Sequence, residues 1–183
     1  MISKIDYLAR VSSTIDSFTQ RLGKIASWFV SVLVLLVGLI VVLRYGFSFG
    51  SIALQESIIY VNAVIFIFGA SYTLKTGGHV RVDVFYSRIG EKGKSFINAL
   101  GALLFLMPAM ILIIFTSEDY VMMSWKILER SPESSGLPFV YLLKTLILVI
   151  AMLLALQGVS ELLKSWRVLA MLRSAQQNAN TGE

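Results

Sequence analysis

In a chain of 183 residues, 56% hydrophobic side chains against 15% charged ones exclude a soluble globular domain, whose surface would need far more charge. The excess must face lipid, and the absence of cysteine removes disulfides, thiolate metal sites and thiol exchange, while a single histidine removes a bis-imidazole haem. The net charge of +5 sits between apolar spans, so membrane orientation accounts for it and no nucleic-acid partner is expected.

Residues 1–183 read as one membrane domain. At the N-terminus, Ile5, Leu8, Val11, Ile15, Phe18 and Leu22 recur at spacings of three and four, with Lys4, Arg10, Asp16 and Arg21 between them. That pattern predicts an amphipathic helix over 1–24, lying on the inner membrane surface or against a partner. Ile25–Leu43 follows as 19 residues without a charge, about 28 Å of helix and enough to cross the hydrocarbon. It reads as a retained anchor: the run is too long for a cleaved signal peptide, 24 residues precede it, and no small-residue cleavage site follows. Ser51–Leu74 is the second span, broken only by Glu56. Ser95–Ser117 is the third, with Pro108 near its centre as a tolerated bend.

In the outer loop, Glu118 and Asp119 suit a helix start, and Val121, Met122, Trp125 and Leu128 make one apolar face. Ser131-Pro132 stops that helix, and Gly136 and Pro138 shape the approach to the fourth span, Leu137–Ser160. A short amphipathic helix parallel to the membrane is the structural reading, and a docking surface for an external protein is the functional one. From Gln176 to Glu183 the chain reads as a disordered tail.

Twelve Lys and Arg flank the spans on one side, in the N-terminal segment, the loop between spans two and three and the C-terminal segment. Only Arg44, Lys126 and Arg130 lie on the other. The positive-inside rule then places both termini in the cytoplasm. Trp28 and Trp166 are expected at the inner interface, and Tyr45, Phe47, Phe139 and Tyr141 at the outer one. The fold class is all-α and integral to the membrane, with four transmembrane helices, N-in and C-in.

Glu56 and Lys144 fall at similar depth in the outer leaflet, about 8 and 10 Å inside their span ends. A lone charge there costs about 3 kcal/mol or more, so Glu56 is expected to pair with Lys144, with Arg44, or with both; separate snorkelling to the headgroups is the alternative. Read as a coupling acid, Glu56 would make the chain a small proton-coupled exporter. With Asn62 and Ser71 in span two, Thr145 in span four and Asn98 near the inner end of span three, the polar set is thin for a transport route. Gly101, Ala102, Ala109, Ala151, Ala155 and Gly158 give spans three and four small surfaces for close contact.

Several ordered motifs carry a family resemblance. Arg44-Tyr45 ends span one and Gln55-Glu56 opens span two. Gly69-Ala70 is followed by Gly78-His79-Val80-Arg81-Val82-Asp83 at the inner mouth of span two, similar to a Gly-x-His-[Val/Ile]-x-[Val/Ile]-Asp signature. Trp125-Lys126-Ile127-Leu128-Glu129-Arg130-Ser131-Pro132 and then Gly136-Leu137-Pro138 and Tyr141 make up the outer loop. Over roughly residues 25 to 165 this order resembles the small membrane subunits, DctQ type, of tripartite ATP-independent periplasmic (TRAP) transporters. Gln55, where many members carry a second acid, looks more like the mannitol/chloroaromatic or 2-oxoacid branch.

The resemblance implies a division of labour. A large multi-span subunit binds substrate and sodium and moves as an elevator, and a soluble periplasmic protein delivers small organic acids or related solutes. The small subunit is a non-catalytic scaffold in the bacterial inner membrane that needs no cofactor. The outer loop, with Trp125, Glu129, Arg130, Ser131, Pro132, Gly136 and Pro138, is then the candidate docking surface. Gly78, His79, Arg81 and Asp83 are candidates for fixing the inner loop or its contact with the large subunit, since one His and one Asp leave a metal short of ligands.

Overall fold

The computed structural model describes residues 2–78 and 89–181, with the backbone alone for 2–5, 91 and 173–181. His79, Arg81 and Asp83 lie outside the described residues. The described chain forms α1 (Ile2–Gly46), α2 (Ile52–Lys75), α3 (Glu91–Gly101), a π-helical turn (Ala102–Leu106), α4 (Met107–Lys126) and α5 (Val140–Thr181). Four helical stretches, Asp6–Gly46, Ile52–Lys75, Lys92–Lys126 and Val140–Leu172, are long and apolar enough to cross a membrane. Helices follow from the solvent: in hydrocarbon each backbone N–H and C=O must find its partner within the segment.

Burial is inverted relative to a soluble bundle. Leu35, Phe66, Phe105 and Phe115 are exposed, whereas the largest fully enclosed side chains among the described residues are Gln157, Ser71, Ser124 and Ser160. Lipid tails are as apolar as leucine, so helices associate through close packing and hydrogen bonds rather than by withdrawing apolar surface.

Helix α5 is the hub. It packs against α1 and α2 on one side and against α3, the π turn and α4 on the other. Helix α1 runs antiparallel to α2 and α5, and α4 to α5, as Gln20 meets Lys75, Thr19 meets Gln157 and Trp125 meets Thr145; α2 and α5 run parallel. Ala151 is wholly buried on α5, and Gly158 sits opposite the π turn.

The π turn answers the proline expected to bend span three. Pro108 has no N–H for Leu104, and its ring would press on that carbonyl in a regular helix. One residue earlier, the Met107 N–H bonds to Ala102 O, five residues back, and the widened turn makes room for the ring. A Cβ at Gly158 would stand 2.8 Å from Leu106 Cδ2, so α5 comes close to the turn here and any side chain would displace the leucine tip. Gly158→Val is expected to destabilise the packing of α5 on this turn by about 1–3 kcal/mol, measured by unfolding in mixed micelles. No loss of stability would show that the contact yields freely.

Three expectations about helix ends need correction. The amphipathic N-terminal segment is no separate interfacial helix: α1 runs 45 residues unbroken, about 68 Å, twice the hydrocarbon thickness. Its buried stripe is Ser12, Thr19, Leu22 and Ala26, while Tyr7 and Phe18 stay exposed. Nor is there a separate outer-loop helix, because Glu118–Lys126 continues α4. The tail is helical as far as Thr181.

The tryptophans are not level either. Taking Thr19–Gln157 as a reference, Trp28 lies nine residues up one helix and Trp166 nine residues down the other, about 27 Å apart along the axes. They do not mark one plane in upright helices.

Candidate functional site

The loop between α4 and α5 is built from a helix stop and a carboxylate clamp. At the end of α4 the Glu129 N–H returns to Ser124 O at 3.0 Å and the Leu128 N–H to Trp125 O at 3.2 Å, with Leu128 left-handed at φ 47°. These are the two bonds of a Schellman stop, at a position where glycine is usual. Leu128→Gly is therefore expected to stabilise the protein by about 1 kcal/mol, read from the unfolding midpoint; a loss would mean that the leucine side chain outweighs the strain.

Beyond the stop, Ser131–Leu137 closes on itself. The Ser131 N–H donates to Leu137 O at 3.2 Å, the Gly136 N–H to Glu133 O at 3.0 Å and the Glu133 N–H to Ser131 Oγ at 3.2 Å. Glu56 reaches into this loop from α2. Its Oε1 accepts the Ser131 hydroxyl, and its Oε2 accepts the Leu137 N–H at 2.6 Å. Ser51 holds the start of α2 by accepting the Leu54 N–H at 3.4 Å. Gly136 is needed sterically, since a Cβ there would collide with Ser131 Oγ and the Glu56 carboxylate.

Lys144 makes a different pair. Its Nζ lies 2.5 Å from Glu129 Oε2 and 4.0 Å from the centre of the Tyr120 ring. The ion pair expected between Glu56 and Lys144 is thus replaced by two separate clamps. The loop folds Glu129 back over α5, while backbone and hydroxyl donors satisfy Glu56. Arg44 does not reach Glu56; it lines a small cleft with Gln55, Leu43 and Phe49. A carboxylate engaged by two donors is also a poor coupling acid, and the exporter reading loses its central residue.

Trp125 completes this end of the bundle. Its Nε1–H donates to Thr145 Oγ1 at 2.8 Å, that hydroxyl donates to Tyr141 O at 2.7 Å, and the two aromatic rings meet edge to face at 4.7 Å. Arg130, Pro132, Glu133, Ser134, Ser135 and Pro138 remain exposed on the loop surface. The arrangement ties the loop to α2 and α5, and among the described residues no group of three or more potential metal ligands occurs.

The hydrogen bond from Lys144 holds the Glu129 carboxyl below its ordinary pKa. A depressed carboxylate contributes stability above its unfolded pKa of about 4.3 and loses it as pH falls toward the folded value. In a Trp28→Phe, Trp166→Phe background, Trp125 fluorescence should stay constant from about pH 7 to 5 and change only below about pH 4.3. The added change Glu129→Gln should shift the neutral-pH signal and flatten this acid response. An unaltered acid response in Glu129→Gln would assign it elsewhere.

Sequence reasoning missed a second polar cluster, at the opposite end of the bundle. Gln157 is wholly buried; its Oε1 accepts from Thr19 at 2.8 Å, and its Nε2 donates to Asp16 Oδ1 at 3.1 Å. Ser160 donates to the same Asp16 oxygen at 2.8 Å, and Lys164 pairs with Asp16 Oδ2 at 2.7 Å and with Glu161 at 2.8 Å. Asp16 and Thr19 on one helix, with Gln157, Ser160 and Lys164 on the other, repeat at helical spacing, and that was the legible signal.

Residues 33–168 match the family described as "Tripartite ATP-independent periplasmic transporters, DctQ component". The chain belongs to the DctQ family. No curated protein and no solved structure matches it. Membership with four membrane-long apolar helices makes it a small TRAP-transporter subunit, a multi-pass protein of the bacterial inner membrane, in a family of transporter components that are generally non-catalytic. Both clamps of the α4–α5 loop and the second polar cluster fall largely within the matched residues, and only the Asp16–Thr19 part of the cluster precedes them.

Proposed function

We propose that this DctQ subunit is a scaffold for a sodium-coupled importer of small organic acids or related solutes. In this reading it holds the large multi-span subunit in the bilayer, with both its own termini cytoplasmic, and presents the clamped outer loop to the periplasmic binding protein. The observation that supports it most is the fate of the polar groups: Glu56, Lys144 and Gln157 are all engaged in tying helices and loop together. That is the chemistry of a structural element, with no carboxylate among these groups left open to a cargo ion.

Within this reading Arg130, Glu133 and Pro138 on the exposed face of the loop meet the binding protein. Gly78, with His79, Arg81 and Asp83, meets the large subunit or fixes the inner loop. Charge bias supports the orientation, since the loop between α4 and α5 carries few cations. The native chain lacks cysteine, so single introduced cysteines test it cleanly. A cysteine at Ser134 should react with an impermeant maleimide added to intact spheroplasts, and one at Asn178 only after lysis. The reverse pattern would invert the topology and remove the docking assignment.

A further inference from the structure

At the inner end of the bundle two recesses meet at Gln20. One is an open hollow of about 450 Å³ beneath the end of α2, edged by Lys75, Lys164 and Arg167 and by the hydroxyls of Ser12, Ser13 and Ser17. The other, about 300 Å³, climbs between α1 and α2 along Ala26, Val30, Ile65 and Gly69. Both volumes suit a small ligand or one part of a larger one. The lower hollow is cationic, though the Ser12 and Ser17 hydroxyls already donate to Ala9 O and Ser13 O; the groove above it is mainly apolar.

Charge in the hollow is incompletely compensated. Asp16 also lines it but is already bonded to Lys164. Lys75 Nζ donates to the neutral Gln20 Oε1 at 2.5 Å, and no ion pair among the described residues uses Lys75 or Arg167. Gly69 has open space where a side chain would stand, which keeps the groove wide. A polar cationic hollow continuous with an apolar groove, at the level where α2 leaves the membrane, matches a molecule with an anionic head and a hydrocarbon tail.

We propose that this is a binding site for one anionic phospholipid, with its phosphate held by Lys75, Arg167 and the Ser13 hydroxyl and an acyl chain lying in the α1–α2 groove. Basic hollows between membrane helices attract such headgroups through the same charge that draws them to polybasic surfaces. The site does not depend on the scaffold reading; its failure would leave that reading untouched.

Native mass spectrometry of the full chain released from detergent, with dioleoyl phosphatidylglycerol or dioleoyl phosphatidylcholine added, tests the proposal. The expected result is one retained phosphatidylglycerol, in clear preference to phosphatidylcholine. Lys75→Gln and Arg167→Gln should each weaken retention about fivefold, while Lys75→Arg with Arg167→Lys should preserve it. Val30→Trp should lower retention by filling the groove with both cations intact. Equal retention of the two lipids, or full retention by the double glutamine variant, would overturn the site. Displacement by soluble glycerol 3-phosphate at the lipid's own concentration would also overturn it, in favour of a free phosphate compound. So would phosphatidylglycerol release on adding a large subunit whose capture requires Lys75 and Arg167, because the hollow would then be a protein contact.

Discussion

Replacing Glu56 with alanine should release the outer loop. The carboxylate supplies both acceptors that hold Ser131 and Leu137. Amide exchange at Leu137 should speed up roughly tenfold or more, since its N–H loses a charged acceptor and passes to local opening. Glu56→Gln should be intermediate, keeping one carbonyl oxygen for Leu137 but presenting an amide to the Ser131 hydroxyl. Gly136→Ala should mimic the alanine variant without touching the carboxylate, because its methyl group occupies the clamp. If the loop steers assembly, capture of the large subunit and of the binding protein should fall in all three while substrate affinity of any complex formed stays unchanged. Unchanged exchange at Leu137 in Glu56→Ala would remove the clamp from the account.

The second large effect is expected at Gln157. Replacing it with leucine keeps the volume but leaves the Thr19 hydroxyl without its acceptor and Asp16 without one donor, in a place with no exposed surface at position 157. Unpaired buried groups of this kind cost about 1–3 kcal/mol each, reduced where lipid or a neighbouring helix supplies a substitute partner. The expected loss is about 2–3 kcal/mol in reversible unfolding, with α1 loosened from α5. Thr19→Val added to Gln157→Leu should cost less than the two changes summed, because the second removes a group that the first has already orphaned. Strict additivity would mean that Thr19 and Gln157 do not act as a pair.

The sequence made some of these features legible and hid others for identifiable reasons. Spans were plain because lipid imposes a minimum run of apolar residues, and no soluble context competes with that demand. Helix ends were hidden because a bilayer limits the apolar run and not the helix: α1, α4 and α5 each continue past the hydrocarbon on polar residues such as Asp16, Glu118 and Lys164. The depth argument set Glu56 and Lys144 at similar depth. It failed on partner choice because the left-handed stop at Leu128 turns Glu129 back to Lys144, and because a backbone N–H such as that of Leu137 carries no sequence signature. Gln157 was a plainer omission, since its spacing to Ser160, Glu161 and Lys164 and the complementary Ser12, Asp16 and Thr19 were all present in the string.

The inverted burial explains why such omissions matter here. In a soluble bundle a missed glutamine is one polar residue among many; in this one the enclosed positions are mostly small or polar, so the polar contacts specify which helix faces meet. Pro108 and Gly158 act together in the same way, one opening the helix into a π turn and the other letting α5 approach it.

Solute uptake in reconstituted liposomes under a sodium gradient bears most directly on the claim that this chain supports transport without performing it. Vesicles holding the chain alone should remain impermeable to every solute that the complete assembly carries. Uptake should appear when the large subunit and the binding protein are both supplied. Gradient-driven accumulation by vesicles containing this chain and no other protein would contradict the scaffold account outright.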